Sequence, residues 1–278
     1  MIPDSQTNTL FLADALPKRQ AVFWERLEKV LQQYQIPYHW IPATNDIWAV
    51  DFMPVQVNEN KLVQFTYAPD YLKPQKYHHL ITDVDEVCEL MSLTTIKSDI
   101  VLDGGNVVKY KNTVVMCDKV FHENPHYHPK ELIAQLKALL AIEHLYFIPW
   151  DINDFTGHAD GMLRFIDEQT VLINDYAKVD KKFQLEFLKF INNTDLNTIE
   201  MPYHPPYDPT YNSAAGLYLN YLEMEQAILF PVFESKHDEK ALQIMQQVVK
   251  NKPVVPIVCH ELAQYGGILN CITWNIKV

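Results

Sequence analysis

Glycine is scarce in this chain, 7 of 278 residues, well under the usual share of about 7%. Each one therefore answers a backbone need rather than filling surface loops. Cysteine is equally thin: Cys88, Cys117, Cys259 and Cys271 are scattered and form no CxxC pair. That excludes a disulfide-stapled scaffold and leaves reduced thiols as the expectation. No stretch is rich in Lys and Arg, and 35 acidic residues outnumber 23 basic ones for a net charge of -12. A chain of that balance offers no phosphate-binding stripe, so nucleic acid is not an expected partner. No run nears eighteen uninterrupted apolar residues, and the N-terminus lacks the basic start and apolar core of an export signal. A soluble, cytoplasmic protein with no membrane partner is expected. With 48% hydrophobic and 21% charged residues, the composition suits a folded chain with a large core and excludes a disordered one.

What is present is a repeat. Apolar, strand-like runs begin at Thr9, Leu62, Thr113, Thr170 and Ala227, that is 53, 51, 57 and 57 residues apart. Helical patterns follow over 17–34, 83–91, 129–140, 181–192 and 236–250, with Pro near the start of the first and third, where it is tolerated. A second strand-like run closes each unit: YHWIPA, SDIVLDGG, LYFIPW, TIEMPYH and PVVPIVCH. The unit is strand, helix, strand, loop. Five such units, each too small to bury its own apolar face, predict an α/β ring of five blades, a pseudo-fivefold propeller whose closure hides the strand edges. An open doubly wound sheet is the alternative, and no G-x-G-x-x-G follows a strand to favour it. No linker or charge run divides the chain, so one domain over residues 1–278 is expected.

All seven glycines fall in the loops after the second strand of a unit, beside Asp103, His158, Asp160, Asn212, Ser213 and Cys271. Taking one polar residue per loop gives Asp51, Asp103, His158, Asn212 or Ser213, and Cys271, spaced at the unit length. In a ring, equivalent loops meet at one end of the axis. A thiol and an imidazole there supply nucleophilic catalysis with proton transfer. Asp51, Asp103 and Asp160 narrow the target, because three acids oppose thiolate formation unless a cation sits among them. A guanidinium fits best: its planar fork pairs with carboxylates and its central carbon is electrophilic.

Four segments, WAVDFMP (48–54), LDGGNVV (102–108), TGHADGMLRF (156–165) and YGGILNCITWN (265–275), resemble the active-site motifs of the guanidine-modifying, or pentein, superfamily. They look most like its agmatine deiminase and bacterial-type peptidylarginine deiminase branch. The resemblance implies a five-bladed α/β propeller. It also implies hydrolysis of a guanidinium to a ureido product plus ammonia, without metal or organic cofactor. By that similarity Cys271 is the nucleophile, His158 the proton carrier, Asp51 and Asp160 the carboxylates that grip the guanidinium, and Asp103 the acid that orients the histidine. Asn212, on its position in the fourth loop alone, and Gly267 are further candidate substrate contacts, as is Trp48, which either covers the substrate's aliphatic stem or packs in a core. The partner expected is a small or peptidyl guanidino compound, with self-association left open. Val50, Asp103 and Asn270 stand where the family more commonly has Arg, Glu and His, which bears on which compound fits. Amidino transfer on the same residues, or a silent ring that binds a cationic ligand, are the alternatives. Cys88, Cys117 and Cys259, inside apolar runs, read as structural. The stretch His122, Glu123, His126 and His128 reads as an exposed helix start rather than a metal site, since zinc hydrolases pair ligands at i and i+4.

Overall fold

In a computed structural model that describes residues 1–151, 154–178, 180–204 and 213–278, the five runs that begin the units are the central strands of five three-stranded sheets. These are β1 (Thr9–Ala13), β4 (Lys61–Thr66), β7 (Thr113–Cys117), β10 (Thr170–Asn174) and β13 (Ile228–Val232). Each pairs in parallel with the run that closes its unit: β2 (Tyr38–Ile41), β5 (Thr95–Val101), β8 (His144–Ile148), β11 (Asn197–Met201) and β14 (Val254–Val258). Parallel neighbours need a crossover, and the predicted helices supply it: α1 (Ala21–Gln33), α2 (Val84–Leu90), α3 (Pro129–Leu140), α4 (Lys181–Ile191) and α5 (Asp238–Val248).

The sequence pattern accounts for these helices. Phe23, Trp24, Leu27 and Leu31 lie buried along one stripe of α1 at i, i+4 and i+8, and burying each such side chain contributes roughly 1.5–3 kcal/mol. Asp83 caps α2 by accepting from the Asp85 and Glu86 N–H groups, and Asp180 caps α4 in the same way. The helix expected from Pro17 begins differently. Leu16–Arg19 forms a separate turn with Pro17 near its start, and Gln20, at φ -136° and ψ 52°, ends that turn before α1 begins.

The third strand of each sheet was not expected. β3 (Val55–Asn58), β6 (Val108–Tyr110), β9 (Leu163–Phe165), β12 (Leu222–Glu223) and β15 (Thr273–Ile276) run antiparallel to the central strands. They are too short to show an alternating pattern. Each follows a loop that leaves the parallel strand of the preceding blade, so every such loop bridges two blades. β15, at the C-terminal end, pairs with β1 at the N-terminal end. This closes the ring, and a continuous core joins β1 residues Leu10 and Leu12 to fifth-blade residues Leu229 and Phe230. The fold is the expected five-bladed α/β propeller. No helix among the described residues is long and apolar enough to cross a membrane.

Candidate active site

The five bridging loops all leave the C-terminal ends of parallel strands, so strand direction sends them to one end of the ring. Four of them bring the predicted residues together. Asp51, Asp103, His158 and Asp160 are 6%, 2%, 4% and 4% exposed. His158 lies between two carboxylates: its Nε2 is 3.0 Å from Asp103 Oδ2 and its Nδ1 3.4 Å from Asp51 Oδ1. Although Asp103 is shorter by one methylene than a Glu, it reaches the imidazole. Its other oxygen, Oδ1, is buried without a hydrogen-bond partner.

Gly105 explains its own presence. Its N–H donates to Asp51 Oδ1 at 3.2 Å, and a Cβ there would come within 2.6 Å of His158 Nδ1 and 2.7 Å of Asp51 Oδ1. Any other residue would drive apart the pair that the loop assembles. Gly267 plays the same part beside Cys271, where a Cβ would meet the Trp48 ring at 2.5 Å and the Cys271 Cβ at 3.0 Å. Trp48 thus covers the Cys271 loop, and Gly267 is the floor that admits its ring. Val50 N–H donates to the Cys271 carbonyl at 3.2 Å, joining the first loop to the last.

Cys271 is the one cysteine of the four that is not fully buried. Its thiol donates to Asn220 Oδ1 at 3.4 Å and lies 4.0 Å from Asp160 Oδ2. Asn220 turns its other amide atom to the same acid, Nδ2 donating to Asp160 Oδ2 at 2.9 Å, and Asn270 Nδ2 donates there at 2.7 Å. Two amides therefore fix Asp160, and one of them also fixes the thiol. Asn220 was missed in the sequence. Unit spacing pointed to Asn212 or Ser213 in that loop, but Asn212 lies outside the described residues, and Ser213 Oγ is spent on the Ala215 N–H at 3.2 Å. The signal was the apolar run LYLNYL around Asn220, since an amide buried there needs partners.

Burial and mutual repulsion set the protonation. Burial, with Asp103 and Asp160 close by, pushes Asp51 up to about 8 despite the nearby imidazole. Burial opposes the charge on His158, but Asp51, Asp103 and Asp160 outweigh it and raise the imidazole to about 10. Burial also pushes up the carboxyl of Asp160. The Cys271 thiol is raised well above its usual range by burial and then by Asp160 and Asp51. The site thus holds an imidazolium, a thiol kept protonated, and three buried acids of which Asp51 keeps its proton up to about 8, an arrangement in which a cation from outside would let the acids ionise.

The stretch from His122 to His128 is corrected in one respect. Glu123 is not at an exposed helix start; its side chain is turned inward against Lys119 at 3.3 Å. No group of three or more His, Cys, Asp or Glu among the described residues could hold a metal ion.

Comparison with known proteins gives the site its context. The model of the Porphyromonas-type peptidyl-arginine deiminase family matches residues 4–276. The agmatine deiminase of Pseudomonas fluorescens is 26% identical over 206 residues, covering 62% of this chain and 56% of that protein. The chain spans about three fifths of the length of the curated relatives it matches. Among solved structures, an agmatine deiminase from C. jejuni superposes with a TM-score of 0.80 at 18% identity, over all of this chain and 95% of that one. DDAH from Pseudomonas aeruginosa superposes with a TM-score of 0.60 at 10% identity, over 98% of this chain and all of that one. These likenesses carry the fold, and the matched model carries the family: the chain belongs to the Porphyromonas-type peptidyl-arginine deiminase family.

Proposed function

Taking that membership as the premise, we propose that the chain hydrolyses a guanidinium group to a ureido group and ammonia, with residues 1–278 acting as one catalytic domain and Cys271 as nucleophile. The observation that carries the reading is the cluster of three buried acids around a protonated thiol. Asp51, Asp103 and Asp160 surround the His158 imidazolium, and a planar cation that pairs with Asp51 and Asp160 lets Asp51 give up its proton to solvent and ionise against it.

The steps follow from the positions. A guanidinium seated between Asp51 and Asp160 brings its carbon over Cys271 Sγ. Its charge offsets the two acids that hold the thiol protonated, so the thiol releases its proton to solvent and the thiolate attacks. In the neutral tetrahedral adduct His158 gives its proton to the departing nitrogen, and ammonia leaves a thiouronium cation on Cys271. The imidazole, now neutral, takes a proton from a water molecule whose oxygen adds to the same carbon. The C–S bond then breaks, the ureido product forms, and the hydroxyl proton returns the sulfur to the thiol. Asp103, 3.0 Å from Nε2, orients the imidazole through this cycle, and Asn220 with Asn270 keeps Asp160 and Cys271 in register.

The test is product analysis. The purified protein is offered agmatine, free arginine, an arginine peptide and methylated arginine, and ammonia and ureido product are measured with Cys271→Ala alongside. Equal ammonia and ureido product, lost in the variant, is the expected result. Amidino transferred to an added amine without ammonia would replace hydrolysis by transfer. Binding without any product would replace the enzyme by a cation-binding ring.

A further inference from the structure

Behind His158 lies a buried cation that the proposed reaction does not use. Lys119 is 1% exposed and sits in the helical turn Lys119–Glu123 that follows β7. Its Nζ donates to the Thr156 carbonyl at 2.7 Å and forms ion pairs with Asp70 at 2.8 Å and Glu123 at 3.3 Å. It also lies 5.2 Å from the Tyr71 ring centroid and 5.7 Å from that of Trp150. Burial opposes its charge, but Glu123 and Asp70 hold it protonated.

Glu123 belongs to the lysine's own turn, Asp70 to the second blade and Thr156 to the loop that joins the third blade to the fourth, and the last two lie beside residues of the His158 site. Thr156 lies two residues before His158. Gly157, at φ +64°, makes room for the lysine stem, since a Cβ there would meet Lys119 Cδ at 2.7 Å. Asp70 precedes Tyr71, whose hydroxyl donates to Asp103 Oδ2 at 3.2 Å, the same oxygen that faces His158 Nε2. Tyr71 also sets its ring edge-on to His158, with centroids 6.3 Å apart. Both residues belong to segment 67–83, the longest of the five connections from a central strand to its crossover helix. Its far end is fastened by Asn45, which bonds to Ile81 and Thr82. Lys119 and Asp103 fasten the end over the site.

We infer that Lys119 is a positioning residue: its ammonium clamps the Asp70–Tyr71 turn to the Thr156–His158 loop, and the clamp holds the Asp103–His158 hydrogen bond in line. Removing it leaves His158 present but loosely aimed. A loosely aimed proton carrier slows the chemical step more than it weakens binding.

This inference rests on the hydrolase reading for its kinetic consequence, but the clamp itself is tested without turnover. The protein is labelled at histidine ring nitrogens, and the downfield ring N–H signal of His158 is followed in the intact chain, in Lys119→Met, in Lys119→Arg and in Asp70→Asn. The expected result is a protected signal in the intact chain, loss of it by exchange with water in Lys119→Met, and its recovery in Lys119→Arg. On the guanidino compound that the intact chain turns over, kcat falls about 10- to 100-fold in Lys119→Met, with KM within about threefold. Asp70→Asn removes one arm at a carboxylate that is 40% exposed and spares the fold. It shows a smaller loss of both signal and kcat, and decides the matter should Lys119→Met fail to fold. A protected signal and unchanged kcat in folded Lys119→Met or in Asp70→Asn would overturn the clamp. Absence of turnover in the intact chain would overturn the hydrolase reading, while the signal would still decide the clamp.

Discussion

Toward the end of the ring where the parallel strands finish, Asp51, Asp103 and Asp160 gather around one imidazole, with Arg164 acting on Asp160 from below; toward the end where they begin, Asp4 and Glu223 face Lys109, Arg164 and Lys252. Arg164 bonds to Asp4 Oδ2 and to the Tyr221 carbonyl, each at 3.0 Å. Lys109 pairs with the other oxygen of Asp4. Lys252 reaches Glu223 at 3.2 Å and the Met224 carbonyl at 2.7 Å. Both ends bury charge, yet only at the second does every acid have a Lys or Arg beside it. Burial works against ionisation of Asp4, but Lys109 and Arg164 hold its carboxyl below the usual range, whereas Asp51 is pushed up to about 8. The paired end closes the ring and asks for no ligand. On the proposed reading the acid-rich end is completed by a cation, and that is the physical difference between a structural charge network and a site.

The comparison breaks if the two ends answer mutation alike. The largest expected effect is at the acid-rich end: Cys271→Ala lowers ammonia release by about 10⁴-fold or more, with thermal melting little changed. Asp160→Asn keeps the shape but loses the acid that pairs with the guanidinium in the proposed reaction. It is expected to lower kcat/KM by about 10²- to 10³-fold, roughly 2.7–4 kcal/mol, measured by the same ammonia assay. At the paired end Asp4→Asn strands two cations. Breaking a buried pair costs about 3–5 kcal/mol, so denaturant unfolding should show a clear loss of stability while kcat per folded molecule stays within about twofold.

The pH dependences should run in opposite senses. Asp4, with its carboxyl held low, contributes stability above about 4, the ordinary carboxyl value, and loses it as pH falls through its lowered value. Asp51 keeps a proton in the folded chain, from about 4 to about 8, that the unfolded chain has released. Its contribution therefore falls as pH rises through that window. Melting temperatures from pH 5 to 9 should decline more gently in Asp51→Asn than in the intact chain. A smaller effect concerns the thiol: a neutral alkylating reagent should modify Cys271 slowly at pH 8, with a rate still rising above pH 9, because burial, Asp160 and Asp51 hold it protonated.

Much of this was legible in the sequence, for one physical reason. The central strands are buried, so they read as apolar runs in register; the parallel strands are half exposed but close each unit at a similar interval, and that register projects Asp51, Asp103, His158, Asp160 and Cys271 to a common end. What escaped was whatever departs from the register. The antiparallel strands are two to four residues long. Asn220 sits in the longest bridging loop, where a count by unit length lands on Asn212 and Ser213. Lys119 and Tyr71 lie outside the bridging loops altogether, and their partnership with the His158 loop arises from packing between blades that no spacing records.

The central claim, that Cys271 attacks a guanidinium carbon at the acid-rich end, is tested most directly by quenching the protein with acid during turnover and weighing its peptides. The expected result is a fraction of the Cys271 peptide carrying the guanidino compound less one ammonia, absent in Cys271→Ala. Steady turnover with the Cys271 peptide unmodified at every quench time, and ammonia still released by Cys271→Ala, would contradict it.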